Sequence, residues 1–391
     1  MSQYNFDEIV PRRGSYSAKW TVYAEDVLPL WVADMDFVSP REVIERLHRR
    51  VDEGVFGYTM DSPELRDMLV ARMKSLYQWE IHPEDLVFIP GMVLTLNLVA
   101  RIVGKAGDGI LMQTPVYGPF LSIPPANDRF AVTCDLVPMA TGKHTFTYAI
   151  DFNAFEKSIT RQTSLFYLCN PHNPSGRALR REELEELAAI CLKHNVTICS
   201  DEIHSDLLLG NAKHVPIASL SPEIARQTIT LIAPSKSFNL PGLGCSIAIV
   251  QNKELRHKLE TAARNLGVHV NLMGLEAAAA AYEHGDVWLK EVLAYLKDGR
   301  DRVVSYVEKN IAPLKITVTE ATYLSWIDCR DLPLPEDVTP YDFFLKEAKV
   351  ALNLGTFFGE GYEGYVRLNF AAPHQVVQEA LERMKEAVGR L

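Results

Sequence analysis

The chain has 391 residues, 47% of them hydrophobic and 23% charged, with a formal net charge of -10. That length exceeds what one hydrophobic core usually supports, so one large domain and one smaller one are expected. The composition is that of an ordinary soluble globular protein, and the negative balance, with no dense Lys/Arg cluster, argues against a nucleic-acid partner.

The first residues, Met1 to Asp7, carry neither a basic start nor an apolar core, so no secretory signal is expected. Residues 9–19 are polar and irregular. The stretch Leu28-Pro29-Leu30-Trp31-Val32-Ala33-Asp34-Met35-Asp36-Phe37 is apolar but broken by two acids, which are costly there unless hydrogen-bonded or facing a cleft. It reads either as a strand-to-loop turn capped by Asp34 or as a substrate-pocket wall that includes Ala33 and Asp34. Residues 40–51 read as a helix with Ser39 as a cap, and Arg41, Arg46, Arg49 and Arg50 as its solvated face. Tyr58 follows in a glycine-bracketed aromatic segment. Ser62 and Pro63 then supply the N-cap and first position of a helix reaching about Tyr77.

Residues 87–90 form a short buried strand, and Gly91, Met92 and Val93 open an amphipathic helix to about Val103. Strand, glycine turn and helix amino end can hold a phosphate on backbone N–H groups, although many such turns bind nothing. Another strand, 109–113, ends near Tyr117, whose ring could cover a flat ligand or simply pack. Residues 164–169 read as a parallel core strand ending in Asn170-Pro171-His172-Asn173-Pro174-Ser175-Gly176, a turn that presents the Asn173 amide. Residues 180–194 are helical. The strand 196–200 ends in Asp201-Glu202-Ile203-His204, where an acid can face a ligand. Asp201, His204 and Asp206 could be imagined as metal ligands, but no second His/Cys pair at zinc spacing accompanies them, and no metal is expected.

The β-prone run 228–232 leads into Ala233-Pro234-Ser235-Lys236-Ser237-Phe238-Asn239. Lys236 is thus placed at the carboxyl end of a buried strand, where open α/β sheets carry their chemistry. It is either a solvated turn lysine or an amine that forms a Schiff base with pyridoxal phosphate. Helical patterns follow over 253–266, around 276–282 and over 288–310, with strands at 316–318 and 324–328 and helices at 341–349 and 376–388. In the alternating strand 365–370, Arg367 offers a fork suited to a substrate carboxylate. The six cysteines show no paired spacing and read as reduced thiols of a cytoplasmic protein. No run approaches the roughly twenty apolar residues of a membrane span.

The ordered set Gly91, Tyr117, Asn173, Asp201, Lys236 and Arg367, with its three motifs, resembles the fold-type I pyridoxal-phosphate enzymes of the aspartate aminotransferase superfamily over essentially the whole chain. Residues 30–37 are similar to the signature of the MalY/PatB branch of cystathionine β-lyases and C–S lyases. The resemblance implies an α/β large domain (46–275) with a mostly parallel, seven-stranded type of sheet between helices. A smaller α+β domain would comprise 276–391 together with the N-terminal segment 1–45. It implies pyridoxal 5'-phosphate as cofactor, with Lys236 holding it and moving the Cα proton, Asp201 pairing with its pyridine nitrogen, and Tyr117 stacking on its face. Asn173 and His204 would sit by the ring, Gly91, Met92, Val93 and Ser235 would hold the phosphate, and Tyr58 would reach it from the other subunit of a homodimer. Arg367, with Asn173 and the Ala33–Asp34 wall, would bind the amino-acid substrate. Where many aspartate-type aminotransferases carry an arginine, this chain has Gly244, so the phosphate charge is met differently. The activity implied is β-elimination from cystathionine, cysteine or another S-substituted cysteine. An aminotransferase is the alternative, and a catalytically silent sensor, which would carry a basic DNA-binding module ahead of this domain, ranks third.

Overall fold

The run Thr228–Ile232 is buried at every position, as a strand covered on both faces must be. In the computed structural model, which describes residues 3–391, it lies inside a seven-stranded sheet. Met1 and Ser2, the start of the N-terminal stretch considered above, lie outside the described residues. The sheet runs Leu86–Ile89, Ser246–Ile249, Thr228–Ile232, Thr197–Asp201, Thr163–Cys169, Gly109–Thr114, Phe130–Asp135. All neighbours are parallel except Ser246–Ile249, which is antiparallel to both of its partners. Helices such as Met92–Ile102, Arg181–Lys193 and Lys253–Asn265 cover the faces. Parallel strands put their carboxyl ends along one edge, and Ile89, Thr114, Cys169, Asp201 and Ile232 all end there.

A second, six-stranded sheet runs Asn353–Leu354, Tyr365–Asn369, Leu324–Asp328, Lys315–Thr317, Thr145–Ala149, Val137–Ala140. Its last two strands form an antiparallel hairpin from the middle of the chain, and Thr145–Ala149 joins Lys315–Thr317 in parallel. That hairpin carries no clear pattern in the sequence, because Val137–Ala140 is an exposed edge strand. The N-terminal segment docks through Leu28–Pro29, which pairs in parallel with Val350–Ala351.

Local chemistry sets the helix starts. The Ser62 hydroxyl accepts from the Leu65 N–H, with Pro63 at the first helical position. Ser39 is not the cap of Arg41–Asp52: its hydroxyl donates to the Asn239 carbonyl at 2.9 Å, tying the N-terminal segment to the lysine loop. The helix expected over 341–349 is Pro340–Phe343 followed by one π turn, Phe344–Ala348.

Candidate active site

The strand ends and the second sheet enclose a cavity of about 490 Å³. Of the residues singled out in the sequence, Ala33, Gly91, Met92, Val93, Tyr117, Asn173, Asp201, His204, Ser235, Lys236 and Arg367 line it. Two do not. Tyr58 is fully exposed on its own chain. Asp34 is engaged by Arg12 at 2.7 Å, so the side chain expected in the pocket wall belongs to an ion cluster behind it.

Lys236 follows the end of Thr228–Ile232 by four residues, in the short helix Pro234–Ser237. Its ammonium donates to the Ala33 carbonyl at 2.6 Å. Burial pulls its pKa down to about 8, with Asp34 opposing the shift and Arg367 adding to it. The loop is anchored beside it: Ser237 donates to Asp206 at 2.9 Å, and Asp206 pairs with Arg72 at 2.7 Å. Asp206 is therefore committed to an arginine, and among the described residues no group of three or more His, Cys, Asp or Glu could hold a metal.

Asp201 ends its strand buried, with one oxygen accepting from the Ile203 N–H at 3.1 Å. Burial raises its pKa to about 7, so a further cation beside it is what would hold this carboxylate fully as an anion at neutral pH. Beneath it, Glu202 accepts from Ser200 at 2.9 Å and pairs with His214 at 2.7 Å, fixing the turn. Burial lowers His204 to about 3, with Lys236 and Arg367 pushing the same way, so its imidazole is neutral. Its Nδ1 is buried without a partner, as is Nε of Arg367.

Arg367 is fully buried on Tyr365–Asn369, where its guanidinium lies 5.0 Å from the Phe358 ring centre. Nη1 donates to Asn173 Oδ1 at 3.0 Å and Nη2 to the Trp31 carbonyl at 2.7 Å. Burial lowers its pKa to about 10, which leaves it charged. Asn173 is held by the buried turn after Thr163–Cys169. The Gly176 carbonyl of that turn accepts from Glu320 and Ala321 N–H groups at 2.9 and 2.8 Å, clamping it to the second sheet. Gly176 itself has φ +71°, and a Cβ there would collide with Thr319.

Helix Met92–Ile102 has Gly91 at its N-cap with φ +108° and no side-chain cap, so its leading N–H groups are open to an anion. These features fit pyridoxal phosphate. The helix amino end and the Ser235 hydroxyl suit a phosphate, the buried acid suits a protonated pyridine nitrogen, and the amine of depressed pKa suits an aldehyde. The unpartnered His204 and Arg367 nitrogens await hydrogen-bond acceptors, which a phenolic oxygen and a substrate carboxylate provide.

Trp31, Asn353, Phe357, Cys169 and Cys245 also line the cavity, and Tyr323 lies beside it, its hydroxyl donating to Ala33 at 3.0 Å. Trp31 lies in the 30–37 stretch and Cys169 closes the strand read over 164–169, whereas Asn353, Phe357, Cys245 and Tyr323 come from segments with no local signal. Phe357 sets its edge on Tyr117, with ring centres 5.9 Å apart.

The family model for class I and II aminotransferases matches residues 25–384. Cystathionine beta-lyase PatB of Bacillus subtilis is 37% identical over 98% of this chain and 100% of its own length. Cystalysin of Treponema denticola, whose crystal structure contains pyridoxal 5'-phosphate, superposes with a TM-score of 0.93 at 33% identity, covering 99% of both chains. The pyridoxal-phosphate-bound C–S lyase of Staphylococcus hominis gives 0.91 at 32% identity, covering 98% of both. With these likenesses spanning the whole chain and the fold, the chain belongs to the class I and II aminotransferase family of fold-type I enzymes, in the MalY/PatB branch.

Proposed function

We propose that this pyridoxal-phosphate-dependent carbon–sulfur lyase acts on L-cystathionine, L-cysteine and related S-substituted cysteines by β-elimination, releasing a thiol or sulfide, pyruvate and ammonia. Support comes from relatives named cystathionine beta-lyase and from C–S lyase neighbours that match the chain end to end. The single observation that carries the reading is the convergence of an amine, a buried acid and a buried guanidinium, Lys236, Asp201 and Arg367, on one cavity.

Bound pyridoxal phosphate supplies the electron sink that stabilises charge at Cα. Lys236 would hold the cofactor, and its amine, once free, would take the proton from Cα; burial, which lowers the pKa of that amine from the ordinary lysine value to about 8 in the cofactor-free chain, favours the neutral form this needs. Asp201 keeps the pyridine nitrogen protonated. His204, neutral, and Asn173 hydrogen-bond at the ring, while Tyr117 covers its face. Met92 and Val93 would donate backbone N–H groups and Ser235 its hydroxyl to the phosphate, with Gly91, whose own N–H is bonded to the Ile89 carbonyl at 2.9 Å, turning the chain into the helix beneath it. Arg367 clamps the substrate carboxylate and so orients the Cα–H bond toward Lys236. When the Cβ–S bond breaks, the sulfur leaves with its electron pair, and the remaining enamine hydrolyses to pyruvate and ammonia.

The working unit is a homodimer in which Tyr58 completes the neighbouring phosphate site. The exposed apolar run Val55, Phe56, Tyr58 and Met60 supports that assignment. Six unpaired, buried cysteines suit a reducing, cytoplasmic location, and no described helix is long and apolar enough to cross a membrane.

The test is pyruvate release from L-cystathionine by protein supplied with pyridoxal phosphate and no 2-oxo acid. Sustained release is expected. Turnover that instead requires an amino donor and a 2-oxo acid together would replace this reading with an aminotransferase.

A further inference from the structure

Behind the cavity, four charged side chains from the N-terminal segment form a largely buried cluster. Lys19 is completely buried, and its ammonium lies 2.7 Å from Asp36 and 3.5 Å from Asp34. Arg12 spans the same two acids, at 2.6 Å to Asp36 and 2.7 Å to Asp34, and the Trp20 indole donates to Asp36 at 2.8 Å. Holding four charges away from water is expensive and adds little net stability, so such a cluster is better explained by the geometry it enforces.

Residues 31–36 pass between this cluster and the catalytic groups, and their backbone carbonyls are committed one after another. Trp31 accepts from Arg367 at 2.7 Å, and Val32 and Asp34 accept from the Asn369 amide at 2.6 and 2.7 Å. Ala33 accepts from both Lys236, at 2.6 Å, and Tyr323, at 3.0 Å. On the far side, the Trp31 indole donates to the Lys19 carbonyl at 3.2 Å. The strap is thus gripped on one side by the ion cluster and on the other by the amine and guanidinium of the site.

We propose that Arg12 and Lys19 are positioning residues of the lyase reaction: by pairing with Asp34 and Asp36 they hold the 31–36 strap so that its carbonyls aim Lys236 and Arg367 at one substrate. The inference rests on the roles given above to Lys236 and Arg367. It accounts for Asp34 and Asp36, acids inside an apolar stretch that do not reach the cavity. It also sets the charge felt by Lys236, which is faced by Asp34, Asp201, Arg367 and His204. Arg12 offsets the Asp34 carboxylate, the acid whose charge most favours the lysine ammonium.

The two sides of the cluster give opposite signs. In holoenzyme carrying Arg12→Ala, Asp34 is less compensated and holds the Lys236 ammonium more strongly. The acid limb of the kcat–pH profile then moves to higher pH. Asp34→Asn removes the anion and moves the same limb to lower pH. The Arg12→Ala strap is also looser: KM for L-cystathionine rises about tenfold, a modest misplacement of the carboxylate clamp. Hydrogen exchange across residues 28–37 of the same holoenzyme accelerates by about the same factor, while helix Met92–Ile102 is unaffected. Arg12→Lys keeps the charge but not the fork that spans both acids, so it returns the acid limb toward wild type while restoring only part of the KM and exchange effects. The proposal is overturned if the acid limb moves in the same direction in Arg12→Ala and Asp34→Asn or in neither, or if Arg12→Ala only lowers thermal stability, leaving KM and exchange in the strap within about twofold of wild type. Turnover retained in an otherwise unaltered enzyme carrying Lys236→Ala would instead remove the reading on which the proposal stands.

Discussion

Nη1 of Arg367 donates to Oδ1 of Asn173 at 3.0 Å, joining residues 194 positions apart in the chain, one on a strand of the six-stranded sheet and the other in the turn that follows a strand of the seven-stranded sheet. The bond orients a guanidinium whose Nη2 is already taken by Trp31, so the fork is aimed before substrate arrives.

Arg367→Lys keeps a positive charge but loses the planar fork and the packing on Phe358. Losing one charge-assisted bond to a carboxylate, worth about 1.5–3 kcal/mol, raises KM by roughly 10- to 100-fold. Steady-state kinetics on L-cystathionine measure this, and an unchanged KM would release Arg367 from carboxylate binding.

Asp201→Asn leaves the shape of the site intact and removes the anion beside the pyridine nitrogen. The expected loss in kcat is about 10²-fold, the scale of removing one preorganised electrostatic partner. A variant within about twofold of wild type would show that another group keeps the ring protonated.

The same residue gives a pH dependence of stability in the cofactor-free chain. Burial raises Asp201 from the ordinary 3.8 to about 7 in the folded state. The native form therefore binds the extra proton, and stability falls as pH rises from about 4 to 7 and then levels off. At about 1.4 kcal/mol per pKa unit the loss is a few kcal/mol. Denaturant melts of wild type and Asp201→Asn isolate it as their difference, which cancels the opposite trend from buried His172 and His204. A difference that is flat with pH contradicts the burial argument.

The Tyr58 assignment predicts twice the mass of one chain in light scattering. It also predicts that Tyr58→Phe, by losing one hydrogen bond of about 1 kcal/mol, weakens cofactor retention roughly fivefold while the dimer persists. Full activity from a monomer would remove Tyr58 from the site.

Much of the site was legible because its chemistry sits at strand ends, which short apolar runs reveal. The strands ending at Cys169, Asp201 and Ile232 were placed to within a residue or two, and with them Asn173, Asp201 and Lys236. The hairpin of Val137–Ala140 and Thr145–Ala149 was not legible, since an exposed edge strand lacks alternation and its partner, Lys315–Thr317, is distant in the chain. The place of Asp34, open in the sequence between a turn and a pocket wall, is hidden for a similar reason. An acid in an apolar stretch signals a partner, but nothing local says that the partners are Arg12 and Lys19 rather than a ligand. Tyr323 is tied to Ala33 across 290 positions, a contact that only the folded chain creates.

The central claim is that one lysine both holds the cofactor and moves the Cα proton. Its most direct test is Lys236→Ala, assayed together for pyruvate release from L-cystathionine and for the visible absorbance of lysine-bound pyridoxal phosphate. Both should vanish in the same variant while the protein stays folded and free pyridoxal phosphate is present in excess. Turnover retained in Lys236→Ala would contradict the assignment of Lys236 and the mechanism built on it.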